Sequence, residues 1–67
     1  MKTKYDWSDV PVHLIWIATD LNGFKHGYSE EPICKDDLDF WDGDDCTQLG
    51  FSEFKGDWKD SLEERPK

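Results

Sequence analysis

Four side chains of this 67-residue chain have the chemistry of transition-metal ligands: His13, His26, Cys34 and Cys46. A structural zinc site takes such ligands in close pairs, C-x₂₋₄-C or H-x₃₋₅-H, because two of them must reach one tetrahedral ion from a single turn of chain. No pair here has that spacing, and no metal is expected. His13 and His26 are expected to face each other across the two arms of a hairpin. Cys34 and Cys46 read as free thiols of a cytoplasmic protein, since a bridge between them is open on loop length but disfavoured by that compartment. The calcium-loop template fails at both candidate places. Asp37-Leu38-Asp39 runs into Phe40-Trp41, and Asp20-Leu21-Asn22-Gly23 has Ala18 where the first ligand belongs.

Carboxylates are the other plentiful chemistry. Asp and Glu number 16 against 8 Lys and Arg, for a net charge of −8. Half of those acids, Glu30, Glu31, Asp36, Asp37, Asp39, Asp42, Asp44 and Asp45, fall within residues 30–45, against Lys35 alone. Spacing assigns none of them to acid and base roles, and there is neither a Gly-rich phosphate loop nor a nucleophile elbow. The chain is therefore read as no enzyme, with no cofactor. Its charge repels nucleic acid and anionic membrane surfaces and favours basic partners, although solubility is the commonest meaning of such a balance. The partner-binding set is these eight acids with Trp41. An alternative site is aromatic, with a nucleotide or other small ligand stacked on Trp7 or Trp58, or on Trp16 or Trp41. Phosphate recognition calls for clustered cations or backbone N–H groups, whereas Lys25, Lys35, Lys55 and Lys59 are scattered singly. A structural role, as a small subunit or oligomer, is a third class.

The elements that position these residues start at residues 13–28, HLIWIATDLNGFKHGY. Leu14, Trp16 and Ala18 alternate with His13, Ile15 and Ile17 as a strand apolar on both faces would. Asp20-Leu21-Asn22-Gly23 supplies a tight or bulged turn, and residues 24–28 return antiparallel. Pro32 closes that second strand. Leu38-Asp39-Phe40 alternates as a third, edge strand with an acidic rim, anchored by Leu38, Phe40 and Trp41, and Asp42-Gly43 turns it. Leu49, Phe51 and Phe54, punctuated by Gly50 and Gly56, suit a short strand or a single turn. Asp6 or Ser8 caps a helical turn ending before Pro11. Asp57 caps a helix of one or two turns with Trp58 and Leu62 on one face; Pro66 ends it and Lys67 frays.

A chain of this length forms one domain, 1–67, and its small core must be aromatic, drawn from 4 Trp, 4 Phe and 2 Tyr. The expected fold is mainly β, a small α+β: a three- or four-stranded antiparallel sheet centred on residues 14–18 with a short C-terminal helical turn. Trp16 is expected to be largely buried, with Trp7 and the C-terminal turn covering the open face. Residues 1–6 lead into no apolar segment of a signal peptide, and no apolar run can span a bilayer, which places the protein in the cytoplasm.

Asp6-Trp7-Ser8-Asp9-Val10-Pro11, Trp16-Ile17-Ala18-Thr19-Asp20-Leu21-Asn22-Gly23, residues 28–32 and residues 58–66 together carry a resemblance. The chain resembles a family of small uncharacterised acidic proteins encoded by tailed bacteriophages and prophages, over most of its length and least between residues 35 and 56. The resemblance carries no catalytic residue across. What it implies is a setting in the host bacterial cytoplasm, where such proteins act as accessory inhibitors of host or anti-phage defence proteins.

Overall fold

The first reversal of the chain has a local cause. Gly23 N–H donates to the Asp20 carbonyl at 2.9 Å, Asp20 N–H donates to the Phe24 carbonyl at 3.0 Å, and Asn22 Oδ1 accepts from Phe24 N–H at 3.1 Å. Gly23 has φ of 92°, a left-handed conformation that lacks the Cβ penalty only in glycine. The result is a three-residue hairpin loop closed by a glycine bulge. It joins β1 (Trp16–Thr19) to β2 (Phe24–Tyr28) in antiparallel register, from Trp16 opposite Tyr28 to Thr19 opposite Lys25.

In the computed structural model residues 3–66 are described; Met1, Lys2 and Lys67, the last expected to fray, lie outside them. β3 (Ile33–Lys35) and β4 (Phe40–Asp42) come next, then β5 (Thr47–Phe51) and β6 (Glu63–Glu64). The strands form a four-stranded antiparallel sheet ordered β5-β2-β1-β6 and a separate two-stranded one, β3-β4. Single 3₁₀ turns cover Asp36–Leu38 and Trp58–Asp60. The expected mainly β architecture is what the chain adopts, with β1 central. No helix among the described residues is long and apolar enough to cross a membrane.

Side chains cover the main sheet on both sides. Ala18 and Tyr28 form one cluster with Trp41, against which Trp16, Trp58 and Leu62 pack. Ile17 and Thr19 point the other way, and there the buried Tyr5 hydroxyl lies 2.7 Å from Thr19 Oγ1 and donates to the Ser61 carbonyl at 2.8 Å. The hydroxyl of Ser61, fully buried, accepts from Thr19 N–H at 2.8 Å and shares its one proton between the Trp58 carbonyl at 2.6 Å and the Thr19 carbonyl at 3.1 Å. Both chain ends are thereby tied to the middle strand. Leu14 and Ile17 are fully buried, and each contributes roughly 1.5–3 kcal/mol by leaving water.

Several expectations need correction. Trp16 is mostly buried, as expected, but at the margin of the Ala18–Tyr28–Trp41 cluster and not at its centre. Leu14 lies against Gly27, opposite Ile17, and not with Trp16 and Ala18; it belongs to a turn in which its N–H donates to the Pro11 carbonyl, so strand alternation does not reach it. His13 is exposed in that turn and does not face His26, whose partner across the hairpin is Ala18. The strand expected at Leu38-Asp39-Phe40 is split in position: β3 lies earlier, at Ile33–Lys35, and β4 begins only at Phe40, since Leu38 ends a 3₁₀ turn and Asp39 sits at φ of 63°. That phase shift leaves Leu38 61% exposed and buries Trp41. The C-terminal helix is a single 3₁₀ turn, capped as expected by Asp57, whose side chain accepts from Lys59 N–H. Beyond it the chain extends into β6, which pairs Glu63 with Ile17 and Glu64 with Trp16.

Candidate functional site

The acidic run 30–45 is an arm built on β3 and β4. Its register, Ile33 opposite Asp42, Cys34 opposite Trp41 and Lys35 opposite Phe40, is closed by the 3₁₀ turn and by Asp39 in the left-handed region, which Asp tolerates better than most residues. Trp41 attaches the arm to the main sheet. Its indole is 7% exposed, its N–H donates to Asp20 Oδ1 at 2.8 Å, its Nε1 donates to the Trp58 carbonyl at 3.2 Å, and its own carbonyl accepts from the Tyr28 hydroxyl at 3.3 Å. A side chain at Gly43 would come within 2.8 Å of the Tyr28 ring and 3.1 Å of the Pro32 backbone, so glycine lets the arm lie close.

All eight predicted partner-binding acids, Glu30, Glu31, Asp36, Asp37, Asp39, Asp42, Asp44 and Asp45, are exposed. Glu30, Glu31, Asp42 and Asp44 line one open cleft of about 280 Å³ with Ile33 and Gly43. Among the described residues Asp36 alone of the eight makes an ion pair, with Lys59 at 3.8 Å, a surface contact worth about 0–1 kcal/mol. Acids outside the arm are used differently. Asp6 accepts from Ser8, Asp20 from Trp41, Glu53 from Lys25 and Asp6 N–H, Asp57 from Lys59, and Glu63 from Lys4 N–H and Trp7 Nε1. The remaining three outside the arm, Asp9, Asp60 and Glu64, are exposed and scattered singly. Trp41, placed by the sequence both among the arm's apolar anchors and in the partner-binding set, is an anchor: its tertiary hydrogen bonds and burial leave it almost no surface.

The aromatic alternative finds little free ring surface. Trp7 is half-buried, with the Arg65 guanidinium 4.8 Å from its ring and its Nε1 committed to Glu63 at 2.8 Å. Trp58 is half-buried against the Ala18–Tyr28–Trp41 cluster. The acidic cleft has no aromatic wall, and its carboxylates oppose a phosphate. No group of three or more His, Cys, Asp and Glu side chains is arranged to hold a metal ion among the described residues.

Cys34 and Cys46 are free thiols on the arm and just beyond it. Burial pushes both thiols above the ordinary cysteine value; Asp36 adds to the effect at Cys34, and Asp20 and Asp42 add at Cys46, against a hydrogen bond from Tyr28. Neither is therefore an activated nucleophile. Tyr28, raised chiefly by burial and then by Cys46 and Asp20, stays protonated and keeps its hydrogen bond to Trp41. Two residues that matter here carry no motif. Asp20 reads in sequence only as a turn residue, yet its Oδ1 holds the arm while its Oδ2 lies 3.4 Å from His26 Nδ1. Tyr5 reads as a flank and is a buried hub. No protein-family model, curated protein or solved structure matches the chain.

Proposed function

We propose that the protein is a small acidic accessory protein that binds a basic surface of another protein and blocks it, with the arm 30–45 presenting carboxylates as a substitute for nucleic-acid phosphate. The observation that carries this reading is the concentration of free carboxylates on the arm: all eight there are exposed and seven are unpaired among the described residues, whereas outside it five of eight accept hydrogen bonds within the fold and Asp9, Asp60 and Glu64 are exposed singly. Duplex DNA carries one charge per about 1.7 Å of axis, and a groove built for it attracts a surface with closely spaced anions. Strands, a capped turn and a buried Trp41 keep these anions in one arrangement, so that little ordering entropy is lost on binding. The resemblance to phage-encoded proteins supports a host or anti-phage defence protein as the target, met in the bacterial cytoplasm.

The test is capture from a bacterial lysate on the immobilised chain, repeated at rising salt and with Asp36, Asp37, Asp39 and Asp42 all replaced by Asn. A basic protein held by the wild type should be lost from the variant, chiefly through a slower on-rate, and its association should slow steeply with ionic strength. The fold should be unchanged, because exposed acids contribute little to stability. A partner that ignores both salt and these substitutions, and is lost on Trp7→Ala or Trp58→Ala, would refute the reading.

A further inference from the structure

The two edges of the main sheet are treated in opposite ways. At β6 the edge is two residues long, both acidic, and the N-terminal segment lies beside it, with Lys4 N–H on Glu63 at 2.9 Å and Lys4 Nζ on the Asp60 and Leu62 carbonyls at 2.8 and 2.9 Å. A short, charged, covered edge resists pairing with another chain. The β5 edge is longer, uncharged and uncovered among the described residues, interrupted by one bulge at Leu49 and Gly50, the latter at φ of 99°. Thr47-Gln48-Leu49-Gly50-Phe51 holds no charge and no proline, and β2 is its only strand neighbour. Ser52 N–H donates to the Gly23 carbonyl of the hairpin at 2.8 Å, so by strand alternation the N–H and C=O of Phe51 face away from β2. Thr47 and Gln48 are exposed, a Cβ at Gly50 would meet nothing within 4 Å, and the Phe51 ring, 74% exposed, is stacked on Phe24 at 4.4 Å as an apolar ledge beside this edge.

We propose that the β5 edge is a docking site for an extended segment of a basic protein, which adds to the sheet as a fifth strand. It rests on the reading of the chain as a binder of basic proteins and supplies the backbone half of that recognition. Charge chooses the occupant. Asp44 and Asp45 precede the strand and Glu53 lies just beyond it, all exposed. Glu53 is already ion-paired with Lys25 at 2.7 Å, so the unpaired charge beside the strand is that of Asp44 and Asp45, and a second copy would bring it, with a net charge of −8 on each molecule, into mutual repulsion. A segment with an uncharged middle and Lys or Arg at both ends meets the same acids with attraction, hydrogen-bonds to the free edge, and lays an apolar side chain on Phe51.

The probe is the blocked peptide Lys-Thr-Val-Thr-Val-Thr-Lys, titrated into the full chain and followed by backbone amide shifts and exchange. Shifts should concentrate on residues 47–51, with slowed exchange at the Phe51 amide. Two charge-matched variants separate edge from arm: Thr47→Lys with Gln48→Lys, and Asp36→Asn with Asp37→Asn, each raise the net charge by two. Lysines on the edge should weaken peptide binding by roughly tenfold, while the arm variant changes it by less than about twofold; the amide spectrum shows that both fold. Shifts confined to residues 30–45, with the arm variant losing as much affinity as the edge variant, would overturn the docking site and leave the acidic-arm reading standing. So would the absence of any shift at millimolar peptide. Slowed exchange at β5 without peptide, rising with protein concentration, would show a second copy as the occupant and overturn the proposal.

Discussion

If Trp41 holds the acidic arm, truncating it should release far more than the arm. The indole is 7% exposed, and Trp→Ala at such a site costs about 3–5 kcal/mol in lost burial and cavity. A domain of 67 residues has roughly 3–10 kcal/mol of stability in total, so Trp41→Ala should leave the chain largely unfolded or melting tens of degrees lower. Trp41→Phe separates bulk from hydrogen bonding. It removes the Nε1 bond to the Trp58 carbonyl, but that oxygen also accepts from Ser61 N–H at 3.2 Å and Ser61 Oγ at 2.6 Å, so no acceptor is orphaned. The polar part of that loss should stay near about 0.5–1.5 kcal/mol, and each kcal/mol lowers Tm by about 4–8 °C in a domain of this size. Thermal melts followed by circular dichroism, with urea titrations for the free energies, make the measurement. Should Trp41→Ala melt cooperatively within about 3 °C of wild type, the arm is a peripheral flap and its carboxylates are not held in one arrangement.

Tyr5→Phe should cost about 1–3 kcal/mol in urea unfolding, because the buried Ser61 carbonyl loses its hydroxyl donor while Thr19 Oγ1 keeps its bond to Ser52 at 2.6 Å; an unchanged midpoint would show that the chain ends are not tied through this hydroxyl. Glu53 predicts a pH dependence: burial raises its carboxyl, but hydrogen bonds from Lys25 and from Asp6 N–H outweigh that and hold it below its usual 4.5. A depressed folded-state value means stability fully present above the unfolded value and lost as pH falls through the folded one. The advantage of wild type over Glu53→Gln should therefore be constant above about pH 5 and shrink on acidification, and an advantage that grows towards low pH would reverse the assignment.

The features legible in the sequence are those that local chemistry decides. The hairpin at Asn22-Gly23 and the Asp57 cap arise from side chains bonding backbone two residues away, and both are present as expected. The phase of the acidic arm was not legible, because one left-handed residue, Asp39, exchanges the faces of the chain on either side of it and turns Leu38 outward and Trp41 inward. β6 was hidden for a different reason. Two glutamates have little strand preference of their own and pair only because β1 offers Trp16 and Ile17 across a gap of many residues. The same holds for Tyr5, Thr19 and Ser61, which carry no motif and meet only when the two ends of the chain close on the middle strand. The eight acids of the arm are exposed, and Trp41 was legible as one of its apolar anchors, while Asp20, which holds the Trp41 backbone from 21 positions away, shows its role only through that contact.

Solubility alone accounts poorly for where the charge lies. A surface made only to stay soluble does best with both signs interspersed, since like charges brought together repel and work against the compact state. This chain places five of its acids where an N–H, a hydroxyl or a lysine awaits them, leaves Asp9, Asp60 and Glu64 exposed singly elsewhere, and gathers eight on and around the β3–β4 hairpin, where Asp36 alone is ion-paired, with Lys59, among the described residues. It then fastens that hairpin through Trp41, whose indole and backbone all find partners in the main sheet or its covering turn. A floppy acidic tail would solubilise as well without the ordering entropy that strands and a buried tryptophan require. The asymmetry of the sheet edges agrees in direction: acids and a covering segment close β6, whereas β5 is left bare beside Asp44 and Asp45, where a cationic strand is favoured over a second anionic copy.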